Sequence, residues 1–223
     1  MSVNDNIKSL RAEIRALAET AGRKPDSVHL MAVSKMQPEE KISEALEAGQ
    51  RLFGENRVQE AIKHWTPLKP RWPDVRLHLI GPLQTNKVKE AVRLFDCIET
   101  VDRGKLAIAL AEEMKKQERY LPCMIEVNTG AEAQKAGVSP DDLPALLQCC
   151  RDNNLNITGL MCIPPHNEPA ALHFALLKKL ADRHKLPDLS MGMSADYQKA
   201  IPLGATYIRI GTALFGERDT ADQ

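Results

Sequence analysis

The sequence is poor in aromatic residues and has no excess of charge of either sign. Phe, Trp and Tyr make up 4% of its 223 residues, too few for the stacking platforms that bind single-stranded nucleic acids. Lys and Arg number 30, and Asp and Glu also number 30, so the formal net charge is zero. The general cationic field that binds nucleic acids or anionic membranes is therefore missing. We expect neither kind of partner.

The sequence also lacks an apolar run near the roughly 20 residues that a spanning helix needs. Its first residues show no basic segment followed by an apolar one, so we expect no export signal. The cysteines are odd in number and form no C-x-x-C pair, which argues against a disulfide framework. We expect reduced thiols in a cytoplasmic protein. They are Cys97, Cys123, Cys149, Cys150 and Cys162.

Several catalytic and metal-binding motifs are missing. The sequence has no H-E-x-x-H, no Cys/His cluster with metal-ligand spacing, no G-x-S-x-G and no Walker-type loop. We therefore predict no metal site and interpret the histidines as structural or exposed. They are His29, His64, His78, His166, His173 and His184.

What is present is a repeated alternation of strands and helices. A helical stripe of apolar residues from Ile7 to Ala21 opens the chain and ends at Gly22. Short apolar runs then predict strands at Val28–Val33, Arg51–Phe53, Leu77–Ile80, Cys97–Thr100, Met124–Val127, Ile157–Cys162, Leu189–Met191 and Tyr207–Ile210. Helical stretches lie between them. One of these should begin at Ser139, as its cap, with Pro140 in the first helical position.

The alternation predicts an α/β fold in which one (β/α)8 TIM barrel, preceded by an extra N-terminal helix, spans residues 1–223 as a single domain. Eight units in this length leave about 28 residues each, near the roughly 30 of a βαβ unit. The alternative is an open doubly wound sheet. Such a sheet carries a glycine-rich turn after its first strand, whereas Ser34–Pro38 contains no glycine.

Lys35 is the first candidate for a functional residue. Barrels of this kind form their sites at the C-terminal ends of the strands, and Lys35 directly follows the first predicted strand. Desolvation at such a position favours the neutral form of a lysine, whose amine attacks carbonyl groups. The alternative is an exposed lysine at the barrel rim that pairs with Glu55.

Two loops near the end of the chain predict an anion site. Barrels often bind phosphate with the loops after strands seven and eight, here Ser190–Ser194 and Arg209–Thr212. Gly211 admits a close approach of the backbone, and the hydroxyls of Ser194 and Thr212 stand at helix starts. The alternative is that both residues only cap their own helices.

Arg209 lies between Ile208 and Ile210 in the last predicted strand. If the isoleucines face the helices, alternation points Arg209 into the barrel. A buried arginine needs partners, so we expect either a ligand contact or a structural ion pair.

A lysine at the first strand end and a phosphate site after strands seven and eight together suit a barrel that binds pyridoxal phosphate. The sequence resembles the pyridoxal phosphate homeostasis proteins, a family with the N-terminal barrel fold of alanine racemase. The resemblance runs in order from about residue 30 to residue 218. It rests on Ala32–Lys35, Phe53–Asn56 with Val58–Glu60, His78–Lys87, Gly159–Met161, Leu189–Ser194 and Arg209–Gly216.

The resemblance implies pyridoxal 5'-phosphate as the cofactor and assigns roles to several residues. Lys35 is implied to form a Schiff base with it. Ser194, Gly211 and Thr212 are implied to hold its phosphate, and Arg209 to face its pyridine nitrogen.

The resemblance also implies that Asn56 lines the pocket and that the protein buffers or supplies the cofactor, in vitamin B6 homeostasis, without a catalytic residue or a dedicated reaction. Enzymes that still lack this cofactor are then the expected partners, and we expect a monomer.

The sequence departs from the family pattern at the pocket rim. Arg57 replaces a usual tyrosine, Ala195 replaces a common acid, and the segment 130–137 differs from the usual Glu-x-x-Lys-Ser-Gly.

A small amino-acid racemase is the alternative function, and it requires two bases on opposite faces of the cofactor. Lys35 can be one of them. Of the tyrosines, only Tyr197 falls near a predicted strand end. The sequence ends at residue 223, soon after the eighth predicted strand, so we expect no second domain of the racemase type.

Overall fold

Eight parallel strands form a closed barrel in which the strand order follows the chain from β1 to β8. A computed structural model describes residues 2–132 and 134–216. The closed barrel confirms the predicted (β/α)8 fold and rules out the open sheet. The two ends of the predicted domain 1–223 lie outside the described residues, so its exact bounds stay a prediction.

The strands match the predicted apolar runs to within a few residues. They are β1 His29–Val33, β2 Leu52–Glu55, β3 Arg76–Leu79, β4 Cys97–Val101, β5 Cys123–Glu126, β6 Ile157–Met161, β7 Asp188–Met193 and β8 Tyr207–Ile210. The helices are α1 Val3–Thr20, α2 Glu39–Glu47, α3 Val58–Leu68, α4 Val88–Leu94, α5 Gly104–Lys116, α6 Leu143–Asp152, α7 Ala170–His184, α8 Tyr197–Ala200 and α9 Thr212–Phe215.

Helix α1 is the predicted extra helix before the first strand. Its N-terminus is fixed by a capping box, in which the Asp5 N–H donates to Ser2 Oγ at 3.1 Å and the Ser2 N–H donates to the Asp5 carboxylate. Its apolar stripe, which includes Ile7 and Ile14, is buried in the main core. The chain then turns at Gly22, whose positive φ of 69° favours glycine.

Alternation along the strands divides the buried side chains into two groups. Outward residues such as Ile208 and Ile210 pack with the helices in one continuous core. Inward residues include Met31, Val33 and Ile80, which form a separate apolar cluster inside the barrel. Arg209 lies between the two outward isoleucines and is 4% exposed, which confirms that it points into the barrel.

The predicted start of the helix after β5 is wrong by a few residues. The Ser139 hydroxyl does accept from the Asp142 N–H at 3.1 Å, as a cap would. The residues between them, including Pro140, form a turn, and α6 begins at Leu143 with Pro144 in its first turn. Two prolines close together offered two possible starts, and the second one is used.

Two further features concern the cysteines and the helices. All five cysteines are free thiols. Within residues 2–132 and 134–216, no helix has both the length and the apolarity that crossing a bilayer requires.

Candidate functional site

A cavity of about 310 Å³ opens at the C-terminal end of the barrel. Its size is near the lower end of the range for small-molecule and cofactor pockets, roughly 300–1,000 Å³. The structure brings all six predicted site residues together in its wall. They are Lys35, Asn56, Ser194, Arg209, Gly211 and Thr212.

A buried hydrogen-bond network next to Lys35 holds the end of β1 in place. The neighbouring Ser34 is fully buried and donates from Oγ to Glu55 Oε1 at 2.7 Å. Trp65 Nε1 donates to the same oxygen at 3.1 Å. Glu55 therefore connects the end of β1 to Trp65 of α3. Lys35 itself is half-buried and lines the cavity, unlike the exposed rim lysine of the alternative prediction.

The chain turns sharply directly after Lys35. Met36 has a φ of 56°, in the left-handed region that non-glycine residues rarely adopt. Its N–H donates to the Glu60 carboxylate, and the Gln37 N–H donates to the Ser34 carbonyl at 3.1 Å. Backbone strain of this kind persists where surrounding contacts hold it, and these two hydrogen bonds hold it at the residue that follows Lys35.

Arg209 crosses the inner wall of the cavity and is held at two points. Its Nη1 donates to Ser190 Oγ at 2.7 Å, and its Nη2 donates to the Cys162 carbonyl at 2.8 Å. These contacts from β7 and from the residue after β6 fix the plane of the guanidinium. The cation therefore reaches the cavity in one defined orientation.

Glu126 is a buried acid near Arg209 that the sequence analysis missed. Its pKa is raised to about 7, first by burial and then by the charge of Asp102, against the opposing positive charge of Arg209. Glu126 ends β5 and shares its inward face with Met124, so alternation could have identified it. Arg209 thus lines the cavity and has an acid nearby, and the choice between a ligand contact and a structural ion pair stays a prediction.

The loops after β7 and β8 meet at the anion-binding candidates. Ser194 does not cap α8, whose N-cap residue is Asp196. Instead, the Ser194 hydroxyl accepts from the Ala213 N–H at 3.5 Å, at the start of α9. Gly211 is the N-cap residue of α9, so the first N–H groups of that helix and two hydroxyls converge on one end of the cavity.

Asn56 owes its position to a glycine on the neighbouring loop. A Cβ atom added to Gly81 would lie 2.2 Å from the Asn56 carbonyl oxygen, too close for any side chain. The Gly81 carbonyl in turn accepts from Thr100 Oγ1 at 2.8 Å. The predicted segment His78–Lys87 therefore contributes through its backbone, by admitting the chain that carries Asn56.

The departures from the family pattern fall in different places. Ala195 lines the cavity, so its missing carboxylate changes the rim. Arg57 is exposed at the start of α3 and is not among the residues that line the cavity. In the segment 130–137, residue 133 lies outside the described residues, and Lys135 forms an ion pair with Glu132 at 2.5 Å.

The described wall of the cavity contains just two ionisable side chains, Lys35 and Arg209.

No tyrosine of the described residues lines the cavity. Tyr197 is buried beside Glu13 of α1, where burial raises its pKa to about 12. Tyr207 packs inside the barrel against His78, with ring centroids 5.5 Å apart. The cavity can thus offer one amine, one guanidinium, hydroxyls and backbone N–H groups, a set that suits a carbonyl compound with an anionic group.

Comparison with known proteins agrees with this geometry. A family model described as the N-terminal domain of alanine racemase matches residues 6–219. The pyridoxal phosphate homeostasis protein of Vibrio cholerae is 42% identical, over 98% of this chain and 97% of that protein. The protein of the same name from Pseudomonas aeruginosa is 44% identical, over 98% and 96%. The chain belongs to the pyridoxal phosphate homeostasis protein family.

Solved structures in this family share the fold and almost the full length. One is the structure of PipY of Synechococcus elongatus without PLP. It superimposes on this chain with a TM-score of 0.88 and is 39% identical to it, over 96% of this chain and 100% of PipY. The structure of PipY with PLP bound gives a TM-score of 0.82 at 38% identity over the same shares. One relative of this chain therefore binds that cofactor on the same barrel.

Proposed function

We propose that this protein binds pyridoxal 5'-phosphate in the cavity at the C-terminal end of the barrel and buffers or supplies it, without a dedicated reaction. The observation that carries the proposal is the convergence of the amine, the guanidinium and the anion-binding groups in one cavity of cofactor size. The cofactor-bound structure of PipY, at 38% identity, supports it. When bound, this cofactor supplies an aldehyde for a lysine, a phosphate anion and an electron-accepting ring.

Each part of the cavity suits one part of that molecule. The Lys35 amine would hold the aldehyde carbon covalently. Ser194, Gly211 and Thr212 would hold the phosphate through hydroxyls and backbone N–H groups, whose charge-assisted hydrogen bonds are stronger than neutral ones. Arg209 would donate to the ring nitrogen, and Asn56 would complete the wall.

The ionisable groups of the cavity support a role without catalysis. Racemisation requires two bases on opposite faces of the cofactor, and the described wall offers Lys35 and Arg209. Arg209 stays protonated and is a donor only, so it cannot be the second base. Its donors are also oriented by Ser190 and Cys162. Enzymes that use the ring as an electron sink often place an acid at its nitrogen instead.

The wider role follows from binding without turnover. We propose that the protein acts as a monomer in the cytoplasm and passes the cofactor to enzymes that lack it. Five free thiols support a reducing compartment.

Borohydride trapping tests the site. The purified protein is loaded with the cofactor, reduced with borohydride and mapped by peptide mass spectrometry. We expect the adduct on Lys35, and we expect Lys35→Ala to lose both the adduct and the absorbance of the covalent complex. The matched control is Lys63→Ala, an exposed lysine on α3. An adduct on another lysine in the wild-type protein would contradict the assignment.

Hydrogen exchange separates the carrier from the racemase. The loaded protein is incubated with an L-amino acid in deuterated water, and the α-proton is followed by NMR. We expect a spectral shift that shows amino-acid binding, but little exchange. Exchange at roughly 1 s⁻¹ or faster, an enzyme-like rate, would overturn the non-catalytic role.

A further inference from the structure

The deeper half of the barrel interior contains a buried polar cluster that the proposed cofactor site does not use. It consists of His78 on β3 and of Cys97 and Glu99 on β4. His78 pairs in register with Cys97, and Glu99 follows two residues later on the same face of its strand. Barrel interiors are usually filled by branched aliphatic side chains, so an imidazole, a thiol and a carboxylate together require an explanation.

The cluster has unused binding capacity. Glu99 Oε1 contacts His78 Nδ1 at 2.7 Å. Glu99 Oε2 is also buried, and among the described residues it has no hydrogen-bond partner. Leaving such an oxygen unpartnered in a protein interior is costly. The second carboxylate oxygen of Glu99 is therefore available next to an imidazole and a thiol, which are ligands for soft and borderline metals.

We propose that His78, Cys97 and Glu99 bind one divalent transition-metal ion of the zinc type. Their ligand atoms lie within 4.8 Å of one another. Zn²⁺ takes nitrogen, sulfur and oxygen ligands at roughly 2.0–2.3 Å, which puts the ligand atoms of a tetrahedral site about 3.3–3.8 Å apart. The longest separation would shorten by about 1 Å. The 2.7 Å contact between His78 and Glu99 would open to admit the ion, and a water molecule would fill the fourth position.

The balance of charge also favours such an ion. The Cys97 thiol gives its proton to solvent when the sulfur–metal bond forms. The resulting thiolate and the Glu99 carboxylate together neutralise a divalent cation, while His78 binds as the neutral imidazole. A neutral assembly is what a low-dielectric interior tolerates. The ion would also cross-link β3 to β4, whose registered pairs are His78–Cys97 and Leu79–Ile98.

This metal site is distinct from the proposed cofactor site. Ile80 lines the cavity and follows His78 by two residues, so the level of His78 and Cys97 lies roughly 7 Å deeper along the strand direction. Glu99 is level with Ile80, but none of the three residues of the cluster lines the cavity. Met31, Val33 and Ile80 form an apolar cluster inside the barrel, and two of them face the cavity. Metal binding and cofactor binding can therefore be measured independently.

The test measures metal content and the identity of the ligands. The protein is purified from zinc-supplied cells, and a second sample is refolded from urea with zinc or cobalt chloride because the cluster is buried. Both are gel-filtered and analysed by plasma mass spectrometry. The variants are Cys97→Ser and Glu99→Gln. The matched control is Cys123→Ser, a buried cysteine of β5 that belongs to the outer core.

We expect about one zinc per chain in the wild-type protein and in the control, and at least a roughly tenfold weaker affinity in the two variants. The cobalt-loaded wild-type protein should show a sulfur-to-cobalt charge-transfer band, which Cys97→Ser abolishes. Trapping of the cofactor by borohydride should be unchanged in all folded proteins, which separates this proposal from the proposed function.

Two results would overturn the proposal. One is a wild-type protein without stoichiometric metal after both preparations. The other is a Cys97→Ser protein that keeps the same metal content. If the variants do not fold, thermal unfolding of the wild-type protein tests the site. Zinc must raise its thermal midpoint, and a chelator must reverse the increase. If zinc does not raise the midpoint, the proposal is wrong.

Discussion

Glu126 should make the stability of the cofactor-free protein fall as the pH rises toward neutrality. Burial raises its pKa from 4.5 to about 7, so the folded state holds a proton that the unfolded state has already lost. The stabilisation from that proton is fully present below pH 4.5 and disappears as the pH passes through about 7. At 1.36 kcal/mol per pH unit, the change across this window is about 3 kcal/mol.

The perturbation is Glu126→Gln, which resembles the protonated acid in shape and cannot ionise. Near pH 5.5 the folded wild-type protein carries a neutral Glu126, so the variant should match it closely. Between pH 5.5 and 8 the wild-type protein should lose about 2 kcal/mol of unfolding free energy through this group, and the variant should not. At pH 8 the variant should therefore be the more stable of the two.

The assay is urea denaturation of the cofactor-free proteins at pH 5.5 and pH 8, followed by circular dichroism. The matched control is Glu112→Gln, an exposed glutamate on α5, which should keep the pH dependence of the wild-type protein. Parallel pH dependences for the wild-type protein and Glu126→Gln would refute the reasoning. A variant less stable than the wild-type protein at pH 8 would mean that the charge of Arg209 outweighs burial.

Three further predictions concern the pocket. Pyridoxal without its phosphate should bind at least tenfold more weakly than the phosphate ester, a loss of about 1.4 kcal/mol or more, and equal affinities by equilibrium titration would argue against the anion site. Gly81→Ala should lower the unfolding free energy by about 1–3 kcal/mol in urea denaturation, because its Cβ would overlap the Asn56 carbonyl. Gly211→Ala should lower that free energy less than Gly81→Ala, by about 1 kcal/mol or less for the N-cap change, since its Cβ would be 3.6 Å from the nearest atom beyond its chain neighbours, yet it should weaken retention of the phosphate ester.

The sequence was sufficient to predict the barrel because most strands are short, mainly apolar runs that are buried on both faces. Runs such as His29–Val33 are typical of strands covered on both sides, and their alternation with helical stretches indicates a parallel α/β fold. The start of α6 could not be predicted in the same way, because the choice between Pro140 and Pro144 depends on how the preceding loop packs. A local capping signal at Ser139 exists in either case.

The candidate site was predictable to the extent that it follows strand ends. Lys35 and Arg209 were found by position, since the C-terminal ends of barrel strands share one opening. Glu126 and the cluster around His78 were not found. His78 and Cys97 are 19 positions apart, and only the pairing of β3 with β4 brings them together. Rules of metal-ligand spacing describe ligands on one loop or helix, so they do not detect ligands joined by strand closure.

The barrel interior thus has two chemically different halves that share the same strands. β8 carries Tyr207 against the deeper His78 and, two residues later, Arg209 at the wall of the cavity. The apolar cluster of Met31, Val33 and Ile80 packs against Tyr207 inside the barrel. Its packing depends on Gly54, where an added Cβ would lie 2.7 Å from the Met31 sulfur. Because that glycine admits the methionine, apolar side chains can fill the part of the barrel interior that borders the cavity.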